Sequence, residues 1–170
     1  MEPKNIQLQW LKEADPGDQQ FVSMVVGWQT VAETLNATVN RFNAKFLQES
    51  DDKHHEMKVI AAKQALMASL KELRLALEKW LAKLRQEGVL SDKSDTMWKT
   101  LQPILQKINA FRDIRNCAFH FGDFIDPPAD MIALYEDVQS HDIEELNTML
   151  RALYDLGFQF RADAMAALGK

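Results

Sequence analysis

The sequence contains little of what disulfide-rich, β-rich or membrane-spanning proteins require. Cys117 is the single cysteine, so no disulfide can form within the chain, and a cytoplasmic location is the simplest expectation. Six glycines and five prolines are too few to separate many short strands by turns. No run of 18 or more apolar residues occurs, so we expect no spanning helix. Residues 1–11 are polar and of mixed charge, which predicts no secretory signal.

The charge is modest in total and uneven along the chain. Twenty basic and 25 acidic residues give a net charge of −5, which argues against a sequence-independent nucleic-acid coat. Residues 51–90 carry 8 basic and 6 acidic groups, whereas residues 126–170 carry 3 and 9. The middle of the chain could therefore hold an anion site, although solvated helix faces of different sign would also explain the asymmetry.

Apolar residues recur every three or four positions over long stretches, which predicts an all-α fold. We expect a single domain over residues 1–170, built as an up-and-down helical bundle of four to five helices. Residues 1–17 are expected to form an irregular N-terminal arm that ends in the turn Asp15-Pro16-Gly17. The predicted helices cover residues 18–48, 50–88, 91–121, 129–138 and 142–168.

Individual residues predict where these helices begin, end and pack. Gly88 is expected to stop the second helix, and Ser91 to cap the third. Pro103 lies in the first turns of the third helix or kinks it. Gly27 interrupts the first helix, and close packing by a neighbour could explain it. The expected core lines are Phe21, Val25, Trp28, Ala32, Leu35, Val39, Phe42 and Phe46, then Leu66, Leu70, Leu73, Leu77, Trp80 and Leu84, then Leu101, Ile104, Ile108 and Phe111, and finally Leu146, Leu150, Leu153, Gly157, Phe160, Ala164 and Leu168.

One segment carries side chains suited to a phosphate. Arg115 and Asn116 are followed by His120 in the pattern Arg-Asn-x-x-x-His. Arginine can clamp a phosphate through two donors, and histidine titrates near neutral pH and can move a proton. RNA supplies its own nucleophile, the 2′-hydroxyl, so its cleavage needs a base, an acid and charge stabilisation but no metal.

This pattern resembles the signature of the HEPN superfamily (higher eukaryotes and prokaryotes nucleotide-binding domains), in which an Arg followed by a polar residue is separated from a His by a gap of four to six residues. Arg115 and His120 match the four-residue form. The resemblance implies an α-helical bundle with the motif late in a long helix. It further implies a metal-independent endoribonuclease without a cofactor, in a toxin–antitoxin or antiphage system. By this resemblance Arg115 would stabilise the phosphate, His120 would act as general acid/base, and Asn116 would orient the groups.

Helical geometry bears on how such a site would be assembled. Arg115 and His120 lie roughly 140° apart around an ideal helix, so one straight helix cannot easily aim both at one atom. Arg112, Asn116 and His120 share a face, and Arg112 is assigned to substrate binding. The helix could deform, long side chains could converge, or two protomers could share the site. We predict the shared site of a homodimer, as the family implies.

Structural interpretations of the same residues remain open. Arg115 could lay its stem on the core and pair with an acidic residue, and His120 could be a helix C-terminal histidine. Three functions therefore stand: a dimeric ribonuclease restrained by an antitoxin, a HEPN-like module that binds nucleotide, RNA or protein without cleavage, and a plain helical interaction protein.

Other candidate residues are expected to be structural. Asp51 and His54, and likewise Asp52 and His55, have the three-residue spacing of carboxylate and histidine ligands on one helix of a di-metal bundle. The predicted core lines contain no carboxylates, which such bundles also require, so no metal is predicted. Cys117 is expected to be a small buried residue, and His141 to precede a capping Asp142. The four tryptophans are expected to anchor the core or an interface; they are Trp10, Trp28, Trp80 and Trp98. The basic residues of the second helix are expected to form a solvated face or to border an RNA groove; they are Lys71, Arg74, Lys79, Lys83 and Arg85.

Overall fold

A computed structural model describes residues 6–46, 55–111 and 135–169, and the structural statements below concern these residues. They contain seven helical segments and no strand, which confirms the all-α bundle. The segments are α1 (Ile6–Glu13), α2 (Gln19–Phe46), α3 (His55–Gln86), α4 (Asp92–Thr100), α5 (Gln102–Ala110), α6 (135–140) and α7 (Ile143–Leu168).

The three long helices form the centre of the molecule. Trp28 of α2 meets Trp80 of α3, and Gln20, two turns earlier in α2, bonds to Glu87 just beyond α3, so α2 and α3 are antiparallel. Trp28 also meets Phe158 of α7, whereas Ala32 of α2 bonds to Tyr154, so α2 and α7 are antiparallel as well.

Most residues of the predicted core lines are buried where the structure describes them. The exceptions are partly buried and pack against the core; they are Leu35, Leu66, Trp80, Leu101, Ile104 and Leu168. Phe21, Val25, Trp28 and Ala32 of α2 are buried, as are the predicted residues of α7 from Leu146 to Ala164. Trp28 is only 1 % exposed, and the other three tryptophans are partly buried against the core, which confirms their role as anchors. Residues Val39, Phe42 and Phe46 lie outside the side chains that the structure describes.

The prediction of an irregular N-terminal arm is wrong for most of the part of it that the structure describes. Residues 1–17 were expected to be irregular, but Ile6–Glu13 form α1. Trp10 packs partly buried against the core, and packing of this kind stabilises helices that are too short to persist alone. The turn at Asp15 is confirmed: its carbonyl accepts from Asp18 N at 2.9 Å and from Gln19 N at 3.0 Å, and α2 begins directly after it.

The third predicted helix is not continuous, which is a second correction. It divides at Leu101 (φ −83°, ψ −2°) into α4 and α5. Pro103 has no N–H and cannot donate to the carbonyl of Lys99, as a continuous helix would require. The side chain of Gln102 instead donates to the carbonyl of Trp98 at 3.2 Å. Helix α5 ends at Ala110, because Phe111 leaves helical geometry with ψ 41°.

The predicted caps are confirmed. Gly88 has a φ of 67°, which L side chains rarely adopt, and its N–H donates to Arg85 O at 3.1 Å. Val89 N donates to Leu84 O at 3.0 Å, and the two bonds form a Schellman motif that ends α3. Ser91 caps α4 and Asp142 caps α7, each through a side-chain oxygen that accepts a backbone N–H.

The sequence suggested close packing at Gly27 of α2, but the closely packed glycine is Gly157 of α7. A Cβ placed on Gly27 would lie 3.9 Å from Trp80 Cζ2, an ordinary contact. A Cβ placed on Gly157 would overlap Cη2, Cζ2 and Cζ3 of Trp28. Gly157 therefore allows α7 to approach the Trp28 ring.

Candidate functional site

The residues of the predicted site fall outside the described structure. Arg112, Arg115, Asn116 and His120 all belong to residues 112–134, and so does Cys117. Whether the guanidinium and imidazole groups converge, within one protomer or between two, stays a prediction. The short helix expected at 129–138 is described only from residue 135, where α6 continues to residue 140.

Two cations of α3 contact the end of α5, four residues before Arg115. Phe111 is 2 % exposed, and its carbonyl accepts a hydrogen bond from Lys71 Nζ at 3.3 Å. Arg74 Nη1 donates to Asn109 Oδ1 at 3.4 Å. Cations near a helix C-terminus are favourable because the last carbonyls carry partial negative charge. These contacts fix the position at which the chain leaves α5.

His141, which precedes α7, and Glu145 in the first turn of α7 contact the same end of α5. His141 lies edge-on to Phe111, with ring centroids 4.9 Å apart. Its Nε2 is 3.8 Å from Asp137 Oδ1, and its Nδ1 is 3.9 Å from Glu145 Oε2. Lys107 of α5 donates to Glu145 at 2.9 Å, and this hydrogen bond is the main reason why the pKa of Glu145 is lowered. His141 precedes the Asp142 cap, as the sequence predicted.

Three of the five basic residues that the sequence analysis named on α3 are paired with carboxylates. Arg74 contacts Glu78 at 2.6 Å, Lys83 contacts Glu87 at 2.7 Å, and Arg85 contacts Asp95 at 2.7 Å. Hydrogen bonds from Lys83 to Glu87, and from Lys99 and Arg85 to Asp95, lower the pKa of these two carboxyls. The pairing favours the interpretation of this surface as a solvated face over that of a border to an RNA groove.

A buried carboxylate joins α7 to the start of α4. Asp163 is 5 % exposed, and its Oδ2 accepts from Ser94 Oγ at 2.6 Å and from Ser91 N at 3.0 Å. Gln159 Nε2 donates to its other oxygen at 3.3 Å. Ser94 is fully buried. Because the two donors to Oδ2, Ser91 N and Ser94 Oγ, lie at the N-terminus of α4, this cluster acts as a structural cap between helices.

A small cleft lies between α2 and α7 on the outer surface. It encloses about 240 Å³ and is lined by Gln29, Ala32, Glu33, Asn36, Tyr154 and Phe158. The Tyr154 hydroxyl donates to Ala32 O at 2.7 Å, and burial raises the pKa of this phenol to about 12. The Glu33 carboxylate adds to that rise, which a backbone hydrogen bond from Asn36 partly opposes.

The sequence analysis did not single out this cleft, although one signal for it was present. Phe158 lies off the apolar line of α7 that runs through Gly157 and Phe160, and it is 46 % exposed. A large aromatic residue away from the core line of a helix indicates a surface role or a contact outside the core.

Neither a metal centre nor a membrane span is found in the part of the chain that the structure describes. Its histidine, cysteine, aspartate and glutamate side chains form no group of three or more that could hold a metal ion. Residues 51–54 and the His55 side chain lie outside it, so the metal-like spacing there is not tested. None of its helices combines the length and hydropathy that crossing a bilayer requires.

Comparison with known proteins yields no relative: no family model, no curated protein and no solved structure matches this chain.

Proposed function

We propose that this protein is a HEPN-like, metal-independent endoribonuclease whose active site forms between two copies of the chain. The observation that carries the proposal is the pattern Arg115-Asn116-x-x-x-His120 in a chain whose described residues are all-α. Arg115 stabilises the phosphate, His120 moves the proton, Asn116 orients them, and Arg112 contacts the RNA backbone.

The chemistry needs two proton transfers at one phosphate. A base removes the proton of the 2′-hydroxyl, whose oxygen attacks the phosphorus, and an acid protonates the departing 5′-oxygen. The products are a 2′,3′-cyclic phosphate and a 5′-hydroxyl, with no net redox change. A homodimer supplies two imidazoles, one for each transfer, and two guanidinium groups for the charge on the equatorial oxygens.

The described structure supports this proposal through the ends of the motif segment. Phe111 directly precedes residues 112–134, and His141 lies seven positions after residue 134; their rings are in contact. Lys71 also holds the carbonyl of Phe111. The described residues on the two sides of the motif segment therefore lie close together on the bundle, as expected for a segment that carries a site built on a rigid scaffold.

The test is RNA cleavage in the presence of a chelator. Wild-type protein should release products with cyclic phosphate ends, and His120→Ala should slow cleavage by about 10²–10⁴-fold because the general acid/base is lost. Arg115→Ala should reduce cleavage comparably, whereas Arg151→Ala, at an exposed position of α7, should not. Full activity of His120→Ala, or activity from a protein that is monomeric in sedimentation velocity, would falsify the dimeric site.

The pairing of Arg74, Lys83 and Arg85 with carboxylates counts against an extended basic groove that would hold RNA for cleavage. It therefore favours a second candidate, a HEPN-like module that binds nucleotide, RNA or a protein such as an antitoxin through the motif alone, without cleavage. This function predicts intact RNA together with phosphate-dependent binding that falls in Arg115→Ala. Fluorescence anisotropy with labelled RNA, read beside the cleavage gel, separates the two functions.

A further inference from the structure

The cleft between α2 and α7 places exposed aromatic surface beside a carboxylate. Phe158 lines the cleft and is 46 % exposed, although its ring packs against Tyr154 at 6.5 Å and against Trp28 at 5.7 Å. Glu33 lines the same cleft from α2. An aromatic face attracts cations through its quadrupole, and a carboxylate attracts them by charge. The chemistry of the cleft therefore selects an organic cation.

The groups that form the cleft are held in place by their own contacts. The Tyr154 hydroxyl is bonded to Ala32 O, which fixes the ring between the two helices. Gln29 Nε2 donates to Glu33 Oε1 at 2.9 Å and so restrains the carboxylate. A site that is ordered before it is occupied loses less conformational entropy on binding. The cleft is thus a preformed recess rather than a gap between mobile side chains.

The volume of the cleft limits the size of what can occupy it. About 240 Å³ is below the roughly 300–1,000 Å³ typical of pockets for drug-sized ligands and cofactors. It suits one long side chain. Among the biological cations, the guanidinium of arginine is planar, stacks on aromatic faces and bonds to a carboxylate through two parallel donors. The ammonium of lysine is more strongly hydrated and does neither as well.

We propose that the α2–α7 cleft binds an arginine side chain of a partner protein, with the guanidinium stacked on Phe158 and bonded to the Glu33 carboxylate. The aliphatic stem lies along Ala32 at the floor of the cleft. The proposal does not rest on the Arg115–His120 motif, and it assigns the cleft as an interaction surface rather than a catalytic centre.

The experiment is a titration of the ¹⁵N-labelled full chain with N-acetyl-arginine-N′-methylamide, followed by ¹H–¹⁵N correlation spectra. We expect saturable shifts at Gln29, Glu33, Asn36 and Phe158, with a dissociation constant on the order of 1 mM, as a single side chain gives. Glu33→Gln and Phe158→Ala should each weaken binding roughly two- to fivefold. Glu136→Gln and Met165→Ala, matched substitutions at exposed positions outside the cleft, should bind like the wild type.

Three matched probes decide whether the cleft recognises arginine as a side chain. The citrulline analogue has the same shape without the charge and should not bind. Tetramethylammonium tests for a general organic-cation site, and methylguanidine tests for a site that takes free small guanidines; both should bind more weakly than the arginine amide. Equal or tighter binding of any of the three, or the absence of localised saturable shifts with the arginine amide, overturns the proposal.

Discussion

Helix α7 is joined to its neighbours in two different ways at positions only six residues apart. At Gly157 it contacts α2 through the buried ring of Trp28, with no space for a single added carbon. At Asp163 it contacts α4 through a buried carboxylate that accepts hydrogen bonds from Ser94 Oγ and Ser91 N. The first contact depends on shape and is sensitive to added volume. The second contact depends on buried donors having a hydrogen-bond acceptor, so it is sensitive to removal of the carboxylate.

The contact at Gly157 should give the largest effect. In Gly157→Ala the new methyl group overlaps the Trp28 ring, which is itself confined by Trp80, Tyr154 and Phe158. We expect the free energy of unfolding to fall by about 3 kcal/mol, at the upper end of the cost of overpacking a core. Urea denaturation followed by tryptophan fluorescence measures the change.

Gly27→Ala is the matched control for this substitution. The same atom is added at a glycine of α2 where it meets only Trp80 at 3.9 Å, so the gain in helix propensity prevails and stability should rise by roughly 0.5–1 kcal/mol. If both substitutions shift stability in the same direction, the room available for a Cβ does not determine the difference between the two glycines.

The polar junction at Asp163 should give the second largest effect. Asp163→Ala leaves the Ser94 hydroxyl and the Ser91 N–H without their acceptor in a buried place, and we expect a loss of about 2 kcal/mol. Chemical denaturation at pH 7 measures it. Asp155→Ala, which removes an exposed carboxylate from the same helix, should change stability by no more than about 0.5 kcal/mol.

A cycle with Ser94→Ala tests whether the junction acts as a unit. If Ser94 and Asp163 stabilise the protein through each other, the double variant loses less than the sum of the two single losses. Strict additivity would show that the hydrogen bond between them contributes nothing beyond the separate groups.

The smallest expected effect concerns Tyr154, which lies between α2 and α7 near the Gly157 contact. The protein has two tyrosines, so Tyr135→Phe leaves Tyr154 as the only phenol, and its absorbance titration should have a midpoint near pH 12. Tyr154→Phe should also cost about 1 kcal/mol at neutral pH, because it removes the hydrogen bond to Ala32.

The same phenol predicts a pH dependence with a defined sign. Its pKa is raised in the folded state from 10.0 to about 12, chiefly because burial disfavours the phenolate. Its contribution to stability is therefore complete below pH 10 and is lost as the pH rises towards 12. Between pH 9 and 11, wild type should lose more stability than Tyr154→Phe. Parallel losses in the two proteins would contradict the raised pKa.

Local signals in the sequence were sufficient for most of the helices and their caps. Gly88, Ser91 and Asp142 could be assigned because a positive φ and a side-chain acceptor are properties of single residues in a short segment. Helix α1 could not, because it is stabilised by the packing of Trp10 on the core. The division at Leu101 could be predicted only in part. Pro103 indicates that the helix is interrupted there, but a proline does not decide between a kink and a break.

The candidate sites divide in the same way. The Arg115–His120 pattern is a sequence feature, and the function proposed from it depends on that pattern. The α2–α7 cleft could not be derived from spacing, because Glu33 and Phe158 are far apart in the chain. The position of Phe158 off the core line of its helix indicates a surface role but not its neighbour. Only the packing of α7 on α2 brings the carboxylate beside the ring.

The sequence by itself determined the all-α class, the core faces of the long helices and the residues at which several of them end, because each follows from periodicity or from the backbone preference of one residue. The tertiary structure alone decided which glycine is closely packed, which carboxylate is buried and where aromatic and acidic side chains meet. Those features depend on distances between helices, and no pattern within a single helix contains that information.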